Sequence, residues 1–185
     1  MNILFTLNDA FVPQVATCMC SIFENNKSAE NITVYLIGER ISQENQNKLK
    51  GFAKSYDRKV CIISINNIAD YIDFDFDTNG WSSIILARLF LDKLLPQEVD
   101  RILYLDGDTL VLEDIGSLFY SDLGDKVIGM CPEPTVDKSR KEFLALKEYP
   151  YHNSGVLLID LKKWRREEIG KKVIEFYQFH EGKLF

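Results

Sequence analysis

The sequence predicts an α/β protein with a mostly parallel sheet flanked by helices on both faces. Three observations carry that reading. Short apolar runs, most of them rich in β-branched residues, alternate along the chain with stretches of helical periodicity. The 185 residues, 46% hydrophobic and 27% charged, are enough for one ordinary domain with a sizeable core. No internal repeat, linker or low-complexity tract interrupts the alternation.

In chain order, residues 2–7 (NILFTL) read as the first strand, and a helix over 12–27 follows with Pro13 in its first turn. A strand over 31–37 (NITVYLI) leads to a helix over 42–56 that begins at a capping Ser42. After a strand over 59–65 (KVCIISI), a helix over 83–93 stops short of Pro96. Strands over 101–105 (RILYL), 127–131 (VIGMC) and 155–161 (GVLLIDL) complete the sheet. A single amphipathic helix over 161–180 follows, with Leu161, Trp164, Ile169, Val173 and Phe176 recurring on one side. The finish GKLF at 182–185 is apolar and reads as a strand just begun, so the chain is expected to be a fragment.

Composition removes several function classes. A net charge of -6 argues against a nucleic-acid-binding surface while leaving room for an anion held through a cation. Cys18, Cys20, Cys61 and Cys131 have no CxxC spacing and are expected to be buried small hydrophobes. With only His152 and His180 besides, a structural zinc site is not expected, and any metal must be held mainly by oxygen. His152 reads equally as a satisfied structural histidine or a ligand, and His180 as a dipole partner at a helix end. No stretch approaches a membrane span and the N-terminus lacks signal-peptide features, so the expected location is cytoplasmic. The first strand-to-helix turn has neither GxGxxG nor a Walker lysine, against a dinucleotide-binding dehydrogenase or a P-loop NTPase.

In open α/β sheets, ligands bind beyond the carboxyl ends of the strands. The residues to search are therefore Asn8, Asp9, Asp106–Asp108, Pro132, Glu133 and the segment before residue 155. RILYLDGDTLV places two carboxylates at the exit of a buried strand. In an extended segment, residues i and i+2 point the same way, so Asp106 and Asp108 can reach one ion while Gly107 admits a ligand to the backbone. Carboxylates select hard cations such as Mn²⁺ or Mg²⁺ and leave positions open for phosphate oxygens. The bland alternative has one Asp capping the next helix and the other solvated.

DGDT also matches the DxDxT nucleophile motif of haloacid-dehalogenase-like phosphohydrolases. That motif normally opens its domain, and here only Gly124 and Asp125 suggest a second acidic motif. In DFDFDTNG (73–80), Asp75, Asp77, Asn79 and Gly80 imitate half of a calcium loop, but Leu86 stands where its glutamate belongs, so a surface loop is expected.

Taken together, SIILARLFLDKLLP, RILYLDGDTLV and YHNSGVLLIDLKKWR, in that order and spacing, resemble family 8 glycosyltransferases, retaining enzymes of the Rossmann-like GT-A fold that include bacterial lipopolysaccharide galactosyl- and glucosyltransferases. The likeness runs from Met1 to Phe185. It implies a single nucleotide-sugar-binding domain over 1–185 that lacks its C-terminal part. It also implies a UDP-glucose or UDP-galactose donor, Mn²⁺ or Mg²⁺ as cofactor, and a glycan or lipid-linked sugar acceptor in cell-envelope polysaccharide synthesis, with peripheral membrane association as an option.

The resemblance further implies roles for individual positions. Thr6, Asn8 and Asp9 match the segment that holds uridine and ribose, and Phe11 the aromatic that stacks on the base. Asp106 and Asp108 match the metal ligands, with Gly107 between them on the donor side. Arg88 matches the arginine that reaches toward the donor sugar and the acidic motif; Glu133, Asn153, Ser154 and Gly155 match the lining of the sugar pocket. Departures are Asn8 where many members have Asp, Ala10 where many have Asn, Glu133 where Asp is usual, and His152 in place of an aromatic. The family's DQD-like and HxxGxxKPW-like segments, which carry a third protein metal ligand and a diphosphate-binding lysine, are not in these residues, and no catalytic nucleophile is assigned. The alternative function is a truncated or degenerate nucleotide-sugar-binding domain without transfer.

Overall fold

A computed structural model describes residues 1–72, 80, 82–144, 146 and 149–179. Asp75, Asp77 and Asn79, His180 and the 182–185 finish lie outside the described residues. Six strands form one sheet: β1 (Asn2–Asn8), β2 (Thr33–Glu39), β3 (Lys59–Ile65), β4 (Arg101–Leu105), β5 (Ile128–Pro132) and β6 (His152–Asp160). Their order is β3-β2-β1-β4-β6-β5. β1 pairs in parallel with β2 and β4, and β2 with β3, whereas β6 runs antiparallel to both of its neighbours. The expected mostly parallel sheet is thus present, with one strand reversed.

Position in the sheet explains the sequence of each strand. β1 and β2 lie inside the sheet and bury every residue between their first and last, which is why they read as unbroken apolar runs. β3 lies at one edge and leaves Cys61 exposed; β5, at the other edge, exposes Cys131. The expectation that all four cysteines are buried therefore fails at these two, because an edge strand has solvent on one side. Cys18 is buried inside its helix and Cys20 is half-buried.

One face of the sheet is covered by α1 (Val12–Asn25) and α2 (Gln43–Ser55). Pro13 falls in the first turn of α1, and the Ser42 hydroxyl caps α2 by accepting from the Asn45 N–H, as expected. Phe23, Phe52 and Tyr56 close the seam between these helices with ring centroids 5.3–6.0 Å apart.

The other face carries a 3₁₀ helix (Ser83–Phe90) that runs into α3 (Leu91–Leu94). Past two short surface helices, α4 (Gly116–Phe119) and α5 (Lys138–Phe143), α6 (Leu161–Arg166) and α7 (Ile169–Phe179) complete that face. The helix expected over 83–93 is mostly 3₁₀ because its buried residues Ile84, Ala87 and Phe90 repeat every three positions, the period of that helix.

The long helix expected over 161–180 is broken where Glu168 takes a φ of 52°. The break turns the buried face, so Gly170 and Tyr177 point inward while Val173 and Phe176 are exposed. Between α7, the 3₁₀ helix and the sheet lies an apolar cavity of about 330 Å³, lined by Ile85, Leu86, Met130, Ile174 and Tyr177 among others. Among the described residues no helix is long and apolar enough to cross a membrane.

Candidate functional site

The chain leaves β1 outward to β2 and β3, then returns on the far side of β1 as β4. The crevice at such a reversal, beyond the carboxyl ends of β1 and β4, is where an open α/β sheet places its ligand. Because β6 is reversed, its first residues arrive at the same edge, so Asn153–Gly155 sit beside Asp106. All the strand-exit residues singled out from the sequence therefore gather on one side of the sheet.

At the β1 end, polar side chains are engaged with the fold. The Asn8 carboxamide oxygen accepts the Phe11 N–H at 3.2 Å and caps the one-turn 3₁₀ helix Asp9–Phe11. Asp9 Oδ1 accepts from the Ser42 N–H and from Asn45 Nδ2, both at 2.8 Å, so it ties β1 to the start of α2. The hydrogen bond from the Ser42 backbone, followed by that of Asn45, holds the Asp9 carboxyl below its ordinary range. Thr6 is 8% exposed. Phe11 keeps 36% of its surface exposed and lies beside the Gly107 turn. A side chain at Gly107 would come within 2.6 Å of Val15 and 3.1 Å of the Phe11 ring, so only glycine lets this turn lie against α1. A hollow of about 320 Å³ opens between Asn8–Ala10 and the Glu39–Arg40 turn after β2.

At the β4 end, the strand stops at Leu105 and residues 106–109 form a turn, closed by the Thr109 N–H to the Asp106 carbonyl at 3.2 Å and by the Thr109 hydroxyl at 2.8 Å. The two carboxylates are thus presented by a turn and not, as the sequence suggested, by an extended segment. The Asp106 N–H donates to the Gly155 carbonyl at 2.8 Å, which continues the β4–β6 ladder by one rung. Asp106 is half-buried; Asp108 is exposed and makes no hydrogen bond with another described residue. Among the described residues no three His, Cys, Asp or Glu side chains come together in a way that could hold a metal, and the turn itself carries two carboxylates, Asp106 and Asp108. Two hard oxygen donors with open positions beside them fit a Mg²⁺ or Mn²⁺ that keeps water or phosphate ligands.

Arg88 reaches β4 and the start of β6 from the 3₁₀ helix. Its Nη1 donates to the Ser154 carbonyl at 2.8 Å, its Nε to the Ile85 carbonyl at 3.0 Å, and its guanidinium lies 4.7 Å from the Tyr104 ring centroid. Asn153 Oδ1 accepts the Gly155 N–H at 2.6 Å. Glu133 follows β5; its backbone is fixed by the Tyr151 carbonyl at 2.8 Å, and its Oε1 accepts from the Thr135 hydroxyl and, at 3.2 Å, the Thr135 N–H. The Thr135 hydroxyl above all, with a smaller contribution from Asn153, keeps the Glu133 carboxyl below its ordinary range.

Sequence reading passed over Tyr104. Its hydroxyl donates to Asp106 Oδ1 at 2.6 Å and lies 3.3 Å from Thr6 Oγ1. Burial, first of all, pushes the Tyr104 phenol up to about 12. A usable signal was present: on a strand, residue 104 shares a face with residue 106, and Tyr104 is the one hydroxyl in RILYL.

A mixed sheet of this order, flanked by helices on both faces, defines the class: an α/β domain of GT-A architecture. The galactosyltransferase LgtC, solved in complex with donor and acceptor sugar analogues, superposes with a TM-score of 0.88 at 27% identity, covering 100% of this chain and 66% of that one. The profile of Glycosyl transferase family 8 matches residues 2–184, and the chain belongs to that family. General stress protein A of Bacillus subtilis is 23% identical over 186 residues, 100% of this chain and 64% of that protein. The lipopolysaccharide 1,2-glucosyltransferase of Escherichia coli K12 is 28% identical over 181 residues, 94% of this chain and 52% of that protein. The chain therefore spans between about half and two thirds of the length of these relatives. Membership of this family displaces the phosphohydrolase alternative.

Proposed function

We propose that residues 1–185 act as one nucleotide-sugar-binding domain of a metal-dependent retaining hexosyltransferase, taking UDP-glucose or UDP-galactose and serving transfer to a hydroxyl of a glycan or lipid-linked sugar acceptor of the cell envelope. The work belongs on the cytoplasmic side, peripheral to the membrane that carries such an acceptor. Asp106 and Asp108 hold Mn²⁺ or Mg²⁺, which when bound neutralises the charge of the departing diphosphate. Phe11 offers its exposed ring to the base, with Thr6, Asn8 and Asp9 framing that end; Arg88, Gly107, Glu133, Asn153, Ser154 and Gly155 surround the sugar and diphosphate end. The observation that carries this reading is the acidic turn at the β1/β4 switch point of a family 8 chain.

Calorimetric titration of UDP into the protein, with and without Mn²⁺, tests it. Binding is expected to depend on the metal and to be lost when Asp106 and Asp108 are both changed to Ala, a drop of about 100-fold or more for removal of both protein ligands of the ion. Metal-independent UDP binding, or binding that survives the double substitution, would overturn the assignment.

A further inference from the structure

Resting on that reading, we infer that Tyr104 is a positioning residue for Asp106: its buried hydroxyl fixes one carboxylate oxygen so that the other is presented toward Gly155 and the donor pocket. The phenol ring is 2% exposed, in the middle of the sheet face below Arg88. A carboxylate can only accept, so in the 2.6 Å contact the Tyr104 hydroxyl spends its single proton on Asp106 Oδ1. Having none left, it must accept from Thr6 Oγ1 at 3.3 Å. The direction of the whole chain is thereby set: Thr6 to Tyr104 to Asp106, from the β1 strand to the acidic turn.

The opposite oxygen is treated differently. A Cβ built at residue 155 would lie 2.7 Å from Asp106 Oδ2, so the glycine keeps space open on that side. With Oδ1 held by Tyr104, the backbone N–H held by Gly155 and the carbonyl held by Thr109, rotation of the Asp106 side chain is the one freedom left, and the phenol removes it. Arg88 rests on the other part of the same ring and donates to Ser154, so one buried side chain sets both the carboxylate and the cation that border the pocket.

The test is Tyr104→Phe, which keeps the ring, its packing and the Arg88 stacking while deleting the donor. Mn²⁺ affinity is read directly by electron paramagnetic resonance of free Mn²⁺, and UDP affinity by calorimetry with and without the metal. Tyr104→Phe is expected to weaken Mn²⁺-dependent UDP binding about tenfold, the usual cost of removing an outer partner of a metal ligand. Mn²⁺ affinity without nucleotide should fall by a similar factor while the urea midpoint stays close to wild type, a pattern that loss of packing would not give. Thr6→Val, which removes the second link only, should lower Mn²⁺ affinity measured without nucleotide by a smaller factor, and it serves alone if Tyr104→Phe does not fold. Unchanged Mn²⁺ affinity in the folded variant overturns the inference and leaves the donor reading intact. Absence of Mn²⁺-dependent binding in the wild-type protein overturns both.

Discussion

The two ends of the crevice use the same kinds of residue for opposite purposes. At the β1 end, Asn8 caps a 3₁₀ turn and Asp9 fastens α2, so their oxygens serve the fold. At the β4 end, Asp106 has one oxygen held by Tyr104 and the other facing Gly155, while Asp108 is exposed. An acidic residue at a strand exit is thus not a ligand by position alone; what distinguishes the two aspartates is which hydrogen bonds already claim their oxygens. At the β1 end the exposed Phe11 ring is left free of such ties, and at the β4 end, among the described residues, Asp108 and Oδ2 of Asp106 are.

Three substitutions can break or sharpen that contrast. The largest effect is expected from Gly155→Ala, whose methyl must displace Asp106 Oδ2 at 2.7 Å and Asn153 Oδ1 at 3.0 Å. Mn²⁺-dependent UDP affinity should fall by roughly 10- to 100-fold, as for other disturbances just outside a metal's ligands. Calorimetry with Mn²⁺ present measures it, and a Mn²⁺ affinity left unchanged in the absence of nucleotide would refute a metal-side origin.

Next comes Arg88→Lys. The charge stays, but the planar fork that both stacks on Tyr104 and donates to Ser154 is lost. About 1 kcal/mol, or roughly fivefold in donor affinity, is the expected cost. The same titration reads it, and a nucleotide-sugar should feel the change more than UDP.

Smallest is Asp9→Ala, which should leave UDP affinity within about twofold and act on stability. The Asp9 carboxyl is held below its ordinary range by Ser42 and Asn45, so its folded-state pKa lies below its unfolded value. Its stabilisation is then present above the unfolded value of about 3.9 and is lost as pH falls through the folded one. Urea midpoints of wild type and Asp9→Ala should differ most near neutral pH and converge in acid. A large loss of UDP binding instead would move Asp9 from the frame to the ligand.

How much of this was legible in the sequence follows from the same physics. Interior strands announce themselves because both faces are buried: residues 2–7 and 101–105 were placed within a residue of β1 and β4. Edge strands show only half of that signal, which is why Cys61 and Cys131 read as core. Helices whose buried face drifts were misread: the run 161–180 kept its periodicity on paper, but one left-handed residue, Glu168, restarts it with a different face inward. The position of Asp106 and Asp108 at a strand exit was legible from spacing and Gly155 through the family resemblance, whereas the contacts of Asp106 with Tyr104 and Gly155 and of Glu133 with Tyr151 were not. Gly155 and Tyr151 belong to β6 and the approach to it, and the reversal of β6 that brings them to Asp106 and Glu133 is a property of topology that no local pattern encodes.

The position of β1 also bears on how the chain folds. β1, β2 and β3 are joined by short crossovers and can associate as the chain lengthens, whereas the pairing of Ile3 with Leu103 closes a loop across more than half of the molecule. Such long-range parallel pairing is slow, because its loop entropy must be met before its contacts form. The β1–β2–β3 half is therefore expected to form early, with the crevice assembled when β4 docks on β1 and brings the acidic turn with it. On that order a newly made chain would own the β1 end of the crevice before the β4 end, with the apolar flank of β1 waiting, uncovered, for β4.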